Sequence, residues 1–563
     1  MCAFNDINRN MSHKHYSLIQ TYNLNAGLKQ FGHKGHEAAV REMKQLHQRA
    51  VFQPIHYDSL SDREKNRAME SLIFLTEKRD GTIKGRTCAN GSIQRDYMTK
   101  EESTSPTVMT ESILITATLE SAENRDVMTA DIPNAFVQTE IPKSGTQDKI
   151  IMKIRGPLVD MLIDIDPTMY QNYVIHEGIR KMKVLYVEVN KALYGMLQSS
   201  LLFYKKFKQD LESIGFKINP YDPCVANRNV KGKQQTVTWH VDDLKSSHVD
   251  ASVNDDFARW LEQQYGDPKV NTVKVTRGKL HDYLGMTLDY TAKGQVKIDM
   301  TKYIKAMIDE FPEELPGKVN CPWNENLFKH DENSVTLSKD MRESFHTFVA
   351  KGLFLCKRAR PDIMPAIAFL STQVKKPTKH DWYKLRRMMN FLTTTINDGL
   401  TLRANLNIIT NWYIDAAFAV HTDYKSHTGA LLTLGQGAVT SISTKQKINT
   451  RSSTESELVS TDDIIAKVIW TKNFIEAQGF TIQENIIHRD NQSTMKLEQN
   501  GKASSGKRTR HFNIKYFYIT DLIQQKEVSI KYCPTDQMIA DYLTKPITGS
   551  KLHHFRKIIL NLS

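Results

Sequence analysis

The chain has 563 residues, 40% apolar and 25% charged, which is long enough for several buried cores and fits two to four globular domains. No run of about 18 apolar residues occurs, so no membrane-spanning helix and no membrane partner are expected; the N-terminal "MCAFNDINRNMSHKHYS" lacks the apolar stretch of a secretory signal. A net charge of +13 favours a polyanionic partner such as nucleic acid, without deciding it.

The predicted elements follow in chain order. Residues 1–80 read as a helical, polar N-terminal extension: "NAGLKQFGHKGHEAAVREMKQLHQRAVFQPI" has apolar residues at helical intervals, and "SLSDREKNRAMESLIFL" opens a second helix on a Ser/Asp start. "EKRDGTIKGRTCANGS" places Asp-Gly between strand-like stretches, and residues near 105–125 return to helix. Short strands follow at "RDVMTADI", "DKIIMKI", "KVLYVEV" and "TVTWHVDD". Among the intervening helices, "SSLLFYKKFKQDLESIGF" gathers Leu201, Phe203, Phe207, Leu211 and Ile214 on or near one face. Residues 320–405 are helical again, and a second α/β unit begins near "NIITNWYIDAAFAV". The six cysteines are scattered, with neither C-x-x-C nor zinc spacing. They read as reduced thiols of an intracellular protein.

Two sets of acidic residues stand out. "VMTADIPNAF" ends a short strand on Asp131, and "VTWHVDDLK" places Asp242 and Asp243 at a turn after an alternating strand. Three carboxylates converging on one spot are costly unless a cation neutralises them, and hard ions such as Mg²⁺ suit oxygen donors and substrate phosphates. A solvated Asp-Asp turn remains the commoner reading of such a pair. In the second set, Asp415 lies in an apolar strand and Asp490 at a strand end. Glu455 and Glu457 open an amphipathic helix that Gly479 is placed to end, and Asp541 sits in a short helix. Tertiary folding could join these acids into a metal site. Helix-dipole acids, an N-cap at Asp490 and a surface Asp541 remain the plainer alternatives.

The flanking segments are informative. "TADIPNAFVQTEIP", "NKALYGMLQSSLLFYKKFKQDLESIGFKINPYDPCVANR", "HVDD", "LHDYLGMTLDY" and "RTCANGSIQRDYMTKEESTSPTVMTESI" resemble segments of copia-type LTR retrotransposon reverse transcriptases. "HVDD" stands where that family has Y-V-D-D. Farther on, "YIDAAFA", "RSSTESELVS", "HRDNQST", "GKRTRHFNIKYFYI" and "PTDQMIADYLTKP" resemble the ribonuclease H domain of the same family. The likeness covers roughly residues 80–546.

The resemblance implies an α+β right-hand polymerase fold of fingers, palm and thumb, followed by an α/β ribonuclease H-like domain. On that basis residues 1–80 form the extension, 81–290 the fingers and palm, 291–405 the thumb and connection, 406–546 the ribonuclease H domain and 547–563 a basic tail. Asp131, Asp242 and Asp243 would be the polymerase carboxylates, and Asp415, Glu457, Asp490 and Asp541 the nuclease ones, with two Mg²⁺ (or Mn²⁺) ions per site. Glu457 is preferred to Glu455 because related nucleases place the acid directly before an apolar helical residue. Phe136 would exclude a ribose 2′-hydroxyl, Arg86 would meet the incoming triphosphate, and His511 would lie near the nuclease substrate. A core aromatic, an exposed arginine and a surface histidine are their respective plainer alternatives. His240 replaces the family Tyr, and Leu197 and Ser200 replace its Lys and Pro. A histidine there is expected to titrate near neutral pH and to alter template–primer contact. Lys502, Lys507, Arg508 and Arg510, interleaved with Phe512, Tyr516 and Phe517, suit phosphate contact or a solvated basic loop. Arg358 and Arg360 would touch a duplex or pair with Asp362. Implied partners are an RNA template, a DNA primer, RNA–DNA hybrid, dNTPs and other Gag and Pol products, in a cytoplasmic virus-like particle or the nucleus. The competing readings are an inactivated copy, a domesticated nucleic-acid-binding remnant, and a transposase or integrase using the second acid set alone.

Overall fold

The computed structural model of the chain describes residues 21–77, 81–142, 149–267, 271–501 and 514–562. The fold is mixed α and β with open sheets. It divides into two compact units, and the chain passes between them more than once. One unit holds Met1–Pro106, Pro133–Asp210 and Tyr265–Thr272; the other holds Thr107–Ile132, Leu211–Gln264 and Val273–Ser563.

The first unit is built on a seven-stranded sheet. Its main path runs Thr21–Asn23, Met69–Glu77, Ile151–Arg155, Met182–Val189, Phe52–Pro54; Ile83–Ala89 pairs with Met69–Glu77, and Ile175–Glu177 with Met182–Val189. Helix Leu24–Gln48 starts where the Asn23 side chain accepts from the Ala26 amide at 3.0 Å. Ala39, Met43 and Leu46, at i, i+4 and i+7, are buried in the core with Ile73, Leu75 and Met152. Residues 1–80 are therefore not simply a helical extension, since three strands of this sheet lie within them. The second helix read from the sequence does begin as expected, with a Ser61–Glu64 capping box, but it spans only Asp62–Arg67. "MESLIFLTE" is strand Met69–Glu77: Ile73 and Leu75 are buried and Leu72 is exposed, the alternation of a sheet face rather than a helical stripe. Likewise "VFQPI" leaves the first helix for strand Phe52–Pro54.

Among the described residues the second unit carries three sheets. A six-stranded antiparallel sheet runs Lys274–Thr276, Asp126–Asp131, Asp243–His248, Lys233–His240, Asp222–Val230, Lys217–Asn219. The almost wholly buried helix Thr110–Ala122 belongs to the same unit. A five-stranded sheet follows: Leu280–Tyr283, Met286–Asp289, Val296–Asp299, Leu400–Ala404, Gly435–Gln436. Helices Lys339–Cys356, Met364–Gln373 and Lys379–Thr394 fall between its third and fourth strands in sequence. The last sheet orders Thr440–Lys445, His427–Thr433, Ile408–Ala417, Ile482–Arg489, Ser529–Tyr532, antiparallel on one side of Ile408–Ala417 and parallel on the other.

Residues 547–563, read from sequence as a basic tail, carry helix Gly549–Leu560. Its Leu552, Phe555 and Ile559, at i, i+3 and i+7, are buried. Arg556 of this helix donates to Asp362 at 2.9 Å, and Arg360 forks onto the same carboxylate at 2.9 and 2.8 Å. Arg360 is thus a fully buried structural partner of Asp362, not a group free to reach a duplex. The described cysteines, Cys88, Cys224, Cys321, Cys356 and Cys533, are free thiols.

Candidate functional site: two carboxylate sets

The first set sits at one end of the six-stranded sheet. Strands Asp126–Asp131 and Asp243–His248 are neighbours, with Asp131 directly opposite Asp243. The strand after His240 reverses through Val241 and Asp242, a two-residue hairpin. Mirror-type turns suit such hairpins because they follow the strand twist, and they require a positive φ. Here Val241 supplies it at +59°, a costly conformation for a β-branched residue, of order 1–2 kcal/mol. The Ile132 amide donates to the Asp242 carbonyl at 3.0 Å and fixes the turn against the Asp131 strand. Asp131 and Asp243 are thereby held by the main-chain ladder, and Asp242 by the tight turn that joins the strands.

Asp131 and Asp242 are half-buried and Asp243 is exposed. The Asp243 carboxyl is nevertheless pushed up to about 6, first by lost solvation and then by the charges of Asp242 and Asp131. An oxygen-only, mutually repelling donor set of this kind suits a hard divalent ion in its chemistry, but its ligand atoms are not gathered within 4.8 Å of one another as those of the second set are. His240 lies opposite Asp243 across the hairpin. Burial, reinforced by Arg358, holds it below the usual histidine value, while Asp242 works the other way.

Behind this hairpin lies a polar layer that sequence reasoning missed. Lys245, two residues after Asp243, is fully buried and donates to Glu120 of helix Thr110–Ala122; the Tyr290 hydroxyl donates to the other Glu120 oxygen at 2.7 Å. The signal was available as a single charge, Glu120, in the apolar helix "SILITATLES", since buried charges are rarely left single.

Arg86 and Phe136 belong to the first unit and meet there at Tyr194. The Arg86 guanidinium lies 4.6 Å from the Tyr194 ring centre, and the Phe136 ring packs edge-on to Tyr194 at 4.6 Å. Tyr194 comes from "KALYGM", so three segments far apart in sequence share one stack. Gly195 permits it: the Ala89 amide donates to the Tyr194 carbonyl at 2.7 Å, and a Cβ on Gly195 would fall 2.1 Å from the Ala89 oxygen.

The second set closes more tightly. Among the described residues, Asp415, Glu457 and Asp490 are the group whose ligand atoms all lie within 4.8 Å of one another. Asp415 is near the end of strand Ile408–Ala417, Glu457 lies on helix Ser453–Ala477, and Asp490 directly follows strand Ile482–Arg489. They line a cleft of 440 Å³ with Asn491, Ser493 and Lys545. Glu455 instead serves the helix start, its carboxylate accepting from the Arg451 amide at 2.6 Å while its own amide donates to Ser452. The N-cap of the helix after Asp490 is Asn491, accepting from Thr494, which leaves Asp490 facing the cleft. Burial, then their neighbours' charges, raises the carboxyls of Asp415 and Glu457, Lys545 opposing at Asp415 and Arg489 at Glu457. The donor set again fits a divalent ion.

Asp541 is buried at the start of helix Asp541–Thr544, but its oxygens are taken by Lys545 and by Lys551, the latter at 2.8 Å. It is not among the three converging acids. Arg489, also missed from sequence, is buried beneath the cleft. It donates to Glu457 Oε2 at 3.1 Å, the Glu457 carbonyl at 2.7 Å, the Ile414 carbonyl at 3.0 Å and Glu498 at 3.2 Å. His511 and Lys502, Lys507, Arg508, Arg510 and Phe512 lie outside the described residues; Tyr516 and Phe517 are buried in a small core with Leu458 and Leu497.

No family model matches the chain. It is 23% identical over 495 residues to a retrovirus-related Pol polyprotein from transposon TNT 1-94 of Nicotiana tabacum, covering 86% of this chain and 35% of that one. It is 25% identical over 486 residues to that of transposon RE1 of Arabidopsis thaliana (84% and 30%), and 22% identical over 529 residues to a Ty1-NL2 Gag-Pol polyprotein of Saccharomyces cerevisiae (91% and 28%). Among solved structures, a foamy viral protease–reverse transcriptase in complex with double-stranded DNA superposes with a TM-score of 0.51 at 12% identity, over 87% of this chain and 68% of that one. The chain spans about a third of the length of the curated relatives it matches, and over that span it is a homologue of retrotransposon Pol polyproteins.

Proposed function

We propose that the chain is an RNA-directed DNA polymerase with a ribonuclease H activity on the same polypeptide, in the manner of copia-type elements. The observation that carries this reading is two separate carboxylate sets on one chain: Asp131 facing Asp243 beside a strained hairpin, and Asp415, Glu457 and Asp490 within 4.8 Å. A transposase or integrase using one acid set would have no need of the first. The six-stranded sheet is read as the palm of a right-hand polymerase, residues 291–405 as thumb and connection, and 406–546 as the nuclease domain.

Mg²⁺ or Mn²⁺ held by these acids would supply the positive charge that phosphoryl transfer needs, two ions serving the polymerase site. The chain's own residues do the positioning. The ladder between Asp131 and Asp243 keeps the oxygen donors where a primer 3′-hydroxyl and the α-phosphate of a dNTP would meet, without rearrangement on binding. By the family likeness Arg86 would meet a triphosphate and Phe136 would exclude a 2′-hydroxyl; within their own unit both pack on Tyr194. At the second site the acids would direct water at the RNA strand of an RNA–DNA hybrid. Contacts to phosphate should dominate affinity, so both activities should fall at high salt.

The test is purified protein with primed RNA, dNTPs and Mg²⁺, beside Asp242→Asn/Asp243→Asn. Synthesis abolished by that change is expected, and absence of any synthesis sensitive to it refutes the polymerase assignment. Degradation of hybrid RNA, with Asp490→Asn as control, tests the second site separately. If both fail while duplex binding persists, the chain is a non-catalytic binding remnant.

A further inference from the structure

The acids of the second site are partnered unequally. Asp415, Glu457 and Asp490 converge, whereas Asp541 is held by two lysines. Lys545 is the more telling of these. Its backbone amide donates to the Asp541 carbonyl at 3.0 Å, and its ammonium bonds the Asp541 carboxylate. The same ammonium is 3.4 Å from Asp415 and lines the cleft that Asp415, Glu457 and Asp490 share. The preceding Thr544 hydroxyl donates to the same Asp415 oxygen, so this helix end delivers a hydroxyl and an ammonium to one carboxylate.

Charge balance sharpens the point. Five carboxylates (Asp415, Glu457, Asp490, Asp541 and Glu498, the other partner of Arg489) meet three cationic side chains (Lys545, Lys551, Arg489), which leaves two net negative charges. One divalent ion cancels these. A second would leave two positive charges for a single phosphodiester to meet, unless a lysine withdrew.

We propose that Lys545 is a resident cation of the second site, supplying between Asp415 and Asp541 the charge that a second divalent ion would supply, so that the site takes one divalent ion, at Asp415, Glu457 and Asp490. Lys545 is a positioning residue in this scheme: it acts through Asp415 and Asp541. The inference rests on the reading of this cleft as a metal-dependent nuclease site, and it replaces the two-ion expectation there.

The test is the number of Mn²⁺ ions bound per full-length chain, measured by titration calorimetry and by the Mn²⁺ electron-spin signal. The proteins are wild type, Lys545→Met, Lys545→Arg and Asp490→Asn. Lys545→Met is expected to bind one ion more than wild type and Lys545→Arg the same number. The polymerase site is common to all and cancels in the comparison. A misfolded variant would lose ions, so a gain cannot arise that way. Equal or lower stoichiometry in Lys545→Met, and in Lys545→Gln as a second neutral variant, overturns the proposal. Asp490→Asn should bind one ion fewer than wild type; if it does not, the metal-site reading fails, independently of the role of Lys545.

Discussion

Replacing Lys245 by Met tests how the Asp242–Asp243 hairpin is supported. The Lys245 side chain is 0% exposed and that of Glu120 is 1% exposed. Burial lowers the lysine's proton affinity, with Glu120 opposing. Methionine fits the volume but leaves the Glu120 carboxylate with the Tyr290 hydroxyl as its remaining bonded donor. Stranding one partner of a buried pair costs about 3–5 kcal/mol. A 290 Å³ cleft reaches Glu120 and Tyr290 and can admit water, which sets the expectation at the lower end, about 3 kcal/mol. Glu120→Leu alone should cost a similar amount. The double variant removes both charges and should cost only about 1 kcal/mol, chiefly the acceptor lost by Tyr290. The assay is urea unfolding followed by hydrogen exchange in peptides covering 126–131 and 243–248, which isolates this sheet from the other unit. A cost below about 1 kcal/mol for Lys245→Met, or a double variant as unstable as the sum of the singles, would refute the reasoning.

Three further outcomes are expected. His421 and His427 hydrogen-bond at 2.9 Å, and burial pushes them down to about 4 and about 3. Their folded values lie below the unfolded one, so their contribution is intact above about pH 6.5 and is lost as pH falls toward 4, at about 2 kcal/mol each by pH 5; thermal melts of His421→Gln/His427→Gln should show a flatter acid limb than wild type. Val241→Asn, a residue tolerant of positive φ, should stabilise the hairpin by about 1 kcal/mol in the same exchange assay, and a loss of stability would show that contacts of the valine outweigh its strain. Arg489→Lys cannot reproduce the fork onto Glu457 and the Ile414 carbonyl, and should raise the Mg²⁺ concentration needed for hybrid RNA cleavage about 10-fold while leaving DNA synthesis unchanged; an unaltered Mg²⁺ dependence would count against it.

Where the sequence misled, tertiary context had overridden a local signal. The Ser61 capping box was real, yet it could not say that the helix stops after six residues and that "MESLIFLTE" pairs in a sheet, because an apolar run of that length suits either state. The strands bearing Asp131 and Asp415 were legible because each is an apolar run that carries an acid at or near its end. Glu457 could be separated from Glu455 by family likeness, and the reason is now visible in the hydrogen bond that ties Glu455 to the Arg451 amide. The Arg86–Tyr194–Phe136 stack was not legible as a stack, since three residues spread over more than a hundred positions announce no contact. Lys545 was passed over because a lysine beside an acidic motif ordinarily reads as solvated surface.

The two sites are backed differently, although each has a buried cation on a strand that presents an acid. Along a strand, alternate residues share a face. Lys245 therefore projects on the same side as Asp243, one step deeper, and it is committed to Glu120 rather than to the site. Arg489 is adjacent to Asp490 and projects the opposite way, into the body, where it grips Glu457 from behind. The first cation holds up the sheet that carries the acids, while the second holds one of the acids themselves. Removing Lys245 together with Glu120 should therefore alter stability little and leave metal dependence where it was. Changing Arg489 should move metal dependence even where the fold survives, because Glu457 has then lost the partner that keeps its carboxylate turned to the cleft.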